Sequence, residues 1–316
     1  MLTTYPSESH KSGHGSGRAA VGAVWLDLVD PDDAERKHAA TLLGGELPTR
    51  DQAGSIELSS RVRVEDELLR INIPAFARGD GGQGSLTPLG ILLSPSLLVT
   101  LRYAQSPVFD RLAKTVTEET RPATSVDTFV ALFESIAGTA ADHMQDLSGE
   151  LSKLSRETFS DRVGHSGILR GVLFQIGRIQ RHVTQIRSAL LGVQRGLSHL
   201  CDNAPKWISR QQHTRLQVAL NDLKSLAEFD QQLDDKMQFL LDAALGFINN
   251  DQNDIMKVLT IVSVVTIPPV ILAGIWGMNF KTIHEYDWPY GYVFALTMIV
   301  SSMLLPLAWF KWKKWF

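Results

Sequence analysis

The chain has 316 residues, room for about two domains of ordinary size, and its 31 Lys plus Arg against 34 Asp plus Glu leave a formal net charge of −3. That near-balance gives no support to nucleic-acid binding, which needs a clustered basic surface. A single cysteine, Cys201, can neither close an internal disulfide nor anchor a Cys/His metal cluster, which fits a reducing cytoplasm.

Residues 1–20 are rich in Ser, Gly and His and lack an apolar core, so they read as a disordered tail rather than a signal peptide. His10 and His14 within it offer metal ligands, but the disordered-tail reading carries far more weight. From 21 to 125 short β-rich runs alternate with helical stretches, predicting a small α/β domain. The expected strands are 23–28, 55–58, 61–64, 69–73, 89–93 and 97–103, with a helix over 32–43 entered through Pro31. Gly79-Asp80-Gly81-Gly82-Gln83-Gly84 is glycine-rich, but no helix start follows it, so it reads as a hairpin loop and not a phosphate cradle.

After Pro122 the next prolines are Pro205 and Pro268, and the region 126–257 reads as very long helices, about 126–200 and 206 onward, the second a stalk. Along that second helix Leu223, Leu226, Asp230, Leu233, Met237, Leu240, Ala244 and Phe247 recur at alternating steps of three and four, the seam of a helix packed on partner helices. Asp230 on this seam has two readings, an ion or register site and, carrying more weight, a solvated break in the packing.

Residues 258–280 and 288–310 each hold 23 residues without a formal charge. At 1.5 Å per residue each reaches about 35 Å, enough to cross a bilayer core. The link 281–287 is so short that the two spans must form an antiparallel hairpin. Five of the seven tryptophans lie at or beyond Trp276, as in an aromatic belt at span ends. Lys257 precedes the first span and Lys311, Lys313 and Lys314 lie in a basic tail, 311–316. The positive-inside bias therefore predicts both termini cytoplasmic and the short loop outside; the localisation expected is the inner (plasma) membrane.

Stepping by fours and threes into the first span gives Asp242, Gly246, Asn249, Asn253, Met256, Thr260, Ser263, Ile267, Val270, Gly274 and Gly277, a face polar or small nearly throughout. Such a stripe reads either as a close helix–helix contact or as the wall of a pore. A two-span hairpin cannot enclose water alone, so the pore reading requires a homo-oligomer. Pro268-Pro269 removes backbone donors inside the span and predicts a kink there.

Ala273-Gly274-Ile275-Trp276-Gly277-Met278-Asn279-Phe280, followed after the loop by Trp288-Pro289-Tyr290-Gly291-Tyr292, resembles the signature of the CorA family of divalent-cation channels. Trp25-Leu26-Asp27-Leu28 with Pro31, Ser59-Ser60-Arg61 with Val64-Glu65-Asp66, Val99-Thr100-Leu101-Arg102-Tyr103 and Ile255-Met256-Lys257 also resemble family segments. The resemblance thus covers nearly the whole chain after about residue 20.

What the resemblance implies is a homopentamer: an α+β cytoplasmic domain, long stalk helices and two C-terminal transmembrane helices, the first lining the pore. Asn279 would then hold a hydrated ion at the outer entrance, with Gly277 allowing close approach and Met278 packing behind. Asn253, Met256 and Leu259 match pore constrictions, and Asp242 matches the acidic inner mouth. Glu285 and Asp287 in the outer loop would attract cations. The sequence departs from the family pattern at Trp276, where Tyr is usual, at Ile283-His284-Glu285-Tyr286, where Met-Pro-Glu-Leu is usual, and at Val270, which replaces a hydroxyl. No acidic pair matches the family's intracellular metal sensors, so the regulatory site stays unassigned.

The resemblance implies uptake of Mg2+ driven by membrane potential, with Co2+ or Ni2+ as surrogates and no cofactor. Two alternatives stand beside it: Zn2+ transport of the ZntB type, and a non-conducting membrane-anchored sensor or scaffold. No nucleophile–base pair points to an enzyme; Glu65-Asp66 and Asp234-Asp235 read as solvated charge.

Overall fold

The computed structural model describes residues 2–6, 23–53, 62–65, 67–77, 85–118, 124–159, 166–279 and 288–315. The chain forms two compact units, Met1–Glu157 with Leu173–Leu240, and Thr158–Val172 with Leu241–Phe316.

The first unit is built on six strands: β1 (Leu2–Pro6), β2 (Ala23–Val29), β3 (Val62–Glu65), β4 (Leu68–Ala77), β5 (Ser85–Leu93) and β6 (Leu98–Arg102), in the order β1-β2-β6-β5-β4-β3. Only β2 and β6 run parallel, Leu26 opposite Val99 and Leu28 opposite Leu101; every other neighbouring pair is antiparallel. The central pair is buried on both faces, which is why β6 reads as a continuous run rather than an alternating one. Helix α1 (Asp33–Leu43) covers one face, its Ala39 packed with Leu26, Leu28, Leu92, Val99 and Leu101. A capping box opens it, Asp32 Oδ1 accepting from the Glu35 amide at 2.7 Å, and Gly44 at φ 73° closes it in the left-handed region that glycine adopts freely. A one-turn helix, α2 (Arg50–Ala53), follows.

Helices α3 (Pro107–Glu118), α4 (Ser125–Thr158), α5 (Ser166–Asp202) and α6 (Arg210–Trp276) come next along the chain. Helix α5 lies on the face opposite α1, so closely that a Cβ on Gly196 would stand 3.3 Å from Ile73 Cγ2. The start of α4 is tied to the β5–β6 turn by Ser125 Oγ, which reaches the carbonyls of Ser94 and Pro95 at 3.0 and 2.9 Å.

Three expectations need correction. Leu2–Pro6 is not a tail but an edge strand on β2, with the Tyr5 ring stacked on Trp25 at 4.1 Å; five residues form a strand there because β2 presents an open edge. The helix expected over 126–200 is two helices, α4 and α5, and the ion pair Arg178–Glu150 at 3.1 Å ties them near their junction. The break falls where Ser, Asp and Gly cluster at 160–167, so it needs no proline. Asp230 is no solvated break: it is 3% exposed.

Strands expected at 55–58, and the glycine-rich loop 79–84, lie outside the described residues. The strands that the loop joins pair antiparallel as far as Ala77 opposite Ser85.

In the second unit α6, from Leu241 onward, pairs with α7 (Gly291–Trp312) through Ile261, Val265 and Phe310, with Leu307 beside them. Both helices are long and apolar enough to cross a membrane. Most of their large apolar side chains are exposed, which suits a lipid surrounding and not water. Phe159 meets Phe247 edge-on at 6.0 Å in the same unit.

Candidate functional site

The polar stripe lies on one face of α6, and the partner helix α7 lies on another. At 100° per residue its centre falls roughly 150° around the helix from Ile261 and Val265, the residues that hold α7. Within the second unit the hairpin contact therefore does not consume the stripe. Asp242, Asn249, Asn253, Met256, Leu259, Thr260, Ile267 and Val270 are all exposed, and Ser263 is half-buried. Asp242 to Asn253 form the polar end, with six consecutive polar residues at 249–254; Met256 to Val270 form the hydroxyl-bearing apolar stretch.

The hydroxyls of this stretch are oriented. Thr260 donates to the Met256 carbonyl at 2.8 Å and Ser263 to that of Leu259 at 2.8 Å. Each proton is spent inside the helix, so the outward lone pairs are left to accept, the arrangement that suits the water shell of a cation. Helix α6 continues through Pro268 and Pro269 without ending. Lacking N–H groups, those residues leave the carbonyls of Val264 and Val265 without their intrahelical donors, a further supply of acceptor oxygens in the span.

At the far end α6 stops at Trp276 and the tripeptide follows at once. Gly277 N–H donates to the Ala273 carbonyl at 2.9 Å and Met278 N–H to that of Ile275 at 3.3 Å. A Cβ on Gly277 would sit 3.1 Å from the Ala273 oxygen and 3.6 Å from that of Gly274. Glycine suits this position because a side chain would crowd the terminal carbonyls, not because the backbone is left-handed. Met278 and Asn279 are exposed at the tip. Tripeptide and stripe thus belong to one continuous run of α6 and its exit. Glu285 and Asp287 lie outside the described residues.

Among the described residues no three His, Cys, Asp or Glu side chains gather in a way that could hold a resident metal. Asp230 is bonded instead to Arg187 of α5, whose Nη2 also lies 3.3 Å from Asp234. Burial pushes the Asp230 carboxyl above its ordinary range, against the opposing pull of the Arg187 hydrogen bond and charge. The bond to Asp230 in turn raises Arg187. The two directions agree once solvation is considered, for the Asp230 side chain is 4% exposed and that of Arg187 36%.

The segments Trp25–Leu28 and Val99–Tyr103 hold a second polar group that sequence reasoning noticed without assigning a role. Trp25 Nε1 donates to Thr100 Oγ1 at 2.9 Å, Thr100 donates to Asp27 Oδ1 at 2.8 Å, and Arg102 Nη2 donates to Asp27 Oδ2 at 2.7 Å. The Arg102 guanidinium also lies 4.6 Å above the Phe109 ring. Every member is buried, so the cluster fixes the register of β2 on β6 and is not open to a ligand. The signal that locates it is the period of two on adjacent parallel strands.

The family model of the CorA-like Mg2+ transporter protein matches residues 21–314. The magnesium transport protein CorA of Escherichia coli strain K12 is 31% identical over 297 residues, covering 93% of this chain and 92% of that one. The solved structure of the CorA magnesium transporter from Methanocaldococcus jannaschii is similar with a TM-score of 0.80 at 19% identity, covering 100% and 99% of the two chains. The cytoplasmic domain of ZntB from Vibrio parahaemolyticus shares the fold less fully, with a TM-score of 0.50 at 13% identity over 72% of this chain and 86% of that one.

Proposed function

The chain belongs to the CorA-like Mg2+ transporter family, and from that membership we propose that it carries Mg2+ across a membrane along the α6 stripe and through a ring of Asn279 side chains. The observation that carries this reading is the stripe itself: an oxygen-rich face, exposed and turned away from α7, that ends at Gly277-Met278-Asn279.

The chemistry follows from the ion. Mg2+ gives up its water reluctantly, so neutral oxygens that hydrogen-bond its shell select it without stripping it. Asn279 supplies such an oxygen at the tip. The C-terminus of α6 adds to it, because the last helical carbonyls carry a partial negative charge. Asp242 supplies full charge at the other end of the stripe. Zn2+ takes nitrogen and sulfur ligands, and of these the stripe offers only the Met256 thioether. Oxygen lining favours Mg2+.

Because one hairpin cannot surround water, several copies build the path, and the family resemblance makes them five. With Lys257, Lys311, Lys313 and Lys314 on the cytoplasmic side, Asn279 faces outward. An inside-negative potential then contributes about 2.3 kcal/mol per charge per 100 mV, and a divalent cation enters without ATP.

The test is ion uptake into proteoliposomes with an imposed potential. The wild-type protein takes up Mg2+, and Asn279→Ala abolishes the uptake while assembly is unchanged. Uptake of Zn2+ alone would move the assignment to the zinc-transporting relatives. No flux of any divalent ion by intact oligomers would leave a sensor or scaffold.

A further inference from the structure

The C-terminal end of α7 carries a feature that the proposed path along α6 does not include. Lys311, Lys313 and Lys314 are interleaved with Trp309, Trp312 and Trp315. The turn that presents them is a complete Schellman closure: Trp315 N–H donates to the Phe310 carbonyl at 3.1 Å, Lys314 N–H to that of Lys311 at 3.1 Å, and the Trp315 ring packs on Phe310 at 5.2 Å. The residue in the left-handed position of this closure is Lys314, at φ 55°. Glycine takes that conformation without strain, and a residue with a Cβ does not. The fold thus holds a charged side chain where a smaller residue would be lower in energy.

The turn is anchored at its root. Phe310 is 2% exposed and packs on Ile261 and Val265, so the position of the lysines is fixed to the helix pair. The ammonium of Lys313 lies 5.8 Å from the centre of the Trp312 ring, and Trp312 is 78% exposed. Among the described residues none of the three lysines has a carboxylate partner, whereas Lys257, near the same end of the hairpin, is neutralised by Asp254 at 2.8 Å. Indole rings settle at the headgroup level of a bilayer. Unneutralised ammonium groups at that level face phosphodiesters, and each attracts an anionic membrane surface.

We propose that Lys311, Lys313 and Lys314, framed by the three tryptophans, form a binding site for the headgroup of an anionic phospholipid, the phosphodiester accepting from the ammonium groups while the indoles hold the glycerol region. A soluble nucleic acid or acidic protein would not account for three exposed indoles in the same turn.

The experiment uses the full chain in vesicles and measures quenching of tryptophan fluorescence by brominated phosphatidylglycerol against brominated phosphatidylcholine. The wild-type protein prefers phosphatidylglycerol. Lys314→Gly relaxes the turn and removes one charge, so thermal stability in phosphatidylcholine holds or rises while the preference falls about fivefold. Lys311→Gln, Lys313→Gln and Lys314→Gln together lower it about a hundredfold, and the triple Arg variant restores it. A preference that survives the triple Gln variant overturns the proposal. So does displacement by inorganic phosphate at millimolar concentration, which would make this a site for a soluble anion.

Discussion

Asp230 and Arg187 meet across α5 and α6, a carboxylate on the apolar seam of one helix bound by a guanidinium from the other. Asp230 Oδ1 has no further hydrogen-bond partner among the described residues, so the arginine is the main support of a buried charge. Removing one member of a buried pair typically costs about 3–5 kcal/mol. Arg187 is a third exposed and water screens part of that, so Arg187→Ala should cost about 1–3 kcal/mol.

The same pair predicts a pH dependence. The folded-state pKa of Asp230 is raised, so the folded protein holds the proton more tightly than the unfolded chain. The stability it contributes is present below the ordinary carboxylate value near 3.9 and is lost as pH rises through the raised one. Without Arg187 the raising effect of burial goes unopposed. The deficit in thermal midpoint of Arg187→Ala should therefore be small near pH 4 and grow toward neutrality, whereas Asp230→Asn should show no such growth. A deficit equal at both pH values would show that the arginine matters only for packing.

Thr100 stands in the middle of the buried chain from Trp25 to Arg102. Thr100→Val keeps the shape but leaves the Trp25 indole N–H without its partner, while Asp27 Oδ1 still accepts from Arg102 Nε at 3.2 Å. An orphaned buried donor costs about 1–3 kcal/mol, so the variant should lose about 1–3 kcal/mol, read as a lower thermal midpoint of the first unit. Thr100→Ser keeps the hydroxyl and should recover most of the loss. A loss confined to Thr100→Ser, with full stability in Thr100→Val, would place the cost in the missing methyl and not in the hydrogen bonds.

The periodic features were legible from residues alone. The seam steps by three and four, and the structure buries Leu223, Asp230, Leu233, Met237, Leu240 and Ala244 and half-buries Leu226, with Phe247 emerging to meet Phe159. The two apolar stretches became helices although Pro268-Pro269 lies inside the first and Pro306 inside the second, because their length and apolar character outweigh those prolines. Three features were illegible, each for a physical reason. Leu2–Pro6 has no pattern of its own and becomes a strand only because β2 lends an edge. The α4–α5 break is written in Ser, Asp and Gly, weaker punctuation than proline. The partner of Asp230 lies 43 positions away, a distance that no local period reports. The tripeptide at the candidate site was legible, yet the reason for its glycine, the crowded Ala273 carbonyl, needed coordinates.

Gly277→Ala tests that reason. The added methyl group meets a backbone oxygen at 3.1 Å, so either the helix end or the tripeptide must give by a few tenths of an ångström. The position lies in the last turn, so the stability cost should stay within about 1 kcal/mol. Displacing Asn279 should nonetheless lower Mg2+ uptake in proteoliposomes, with the oligomer intact on size exclusion. Unchanged uptake would mean that the proposed Asn279 ring tolerates movement and that the tight contact serves only the helix end.

Phe310 decides whether the hairpin is held by specific packing or merely by sharing a membrane. In a water-facing core Phe→Ala costs about 3–5 kcal/mol. In lipid, acyl chains refill the space and the transfer contribution vanishes, leaving only lost contacts with Ile261, Val265 and the neighbouring rings. Phe310→Ala should therefore cost about 1–2 kcal/mol, visible as a lower thermal midpoint in detergent, while Leu305→Ala, at a residue 69% exposed, should cost almost nothing. The ring of Trp315 closes the lysine turn onto Phe310, so the same variant should expose Lys311, Lys313 and Lys314 to faster tryptic cleavage than in the wild-type protein. Cleavage at the wild-type rate would show that the backbone closure, and not the ring contact, holds the turn.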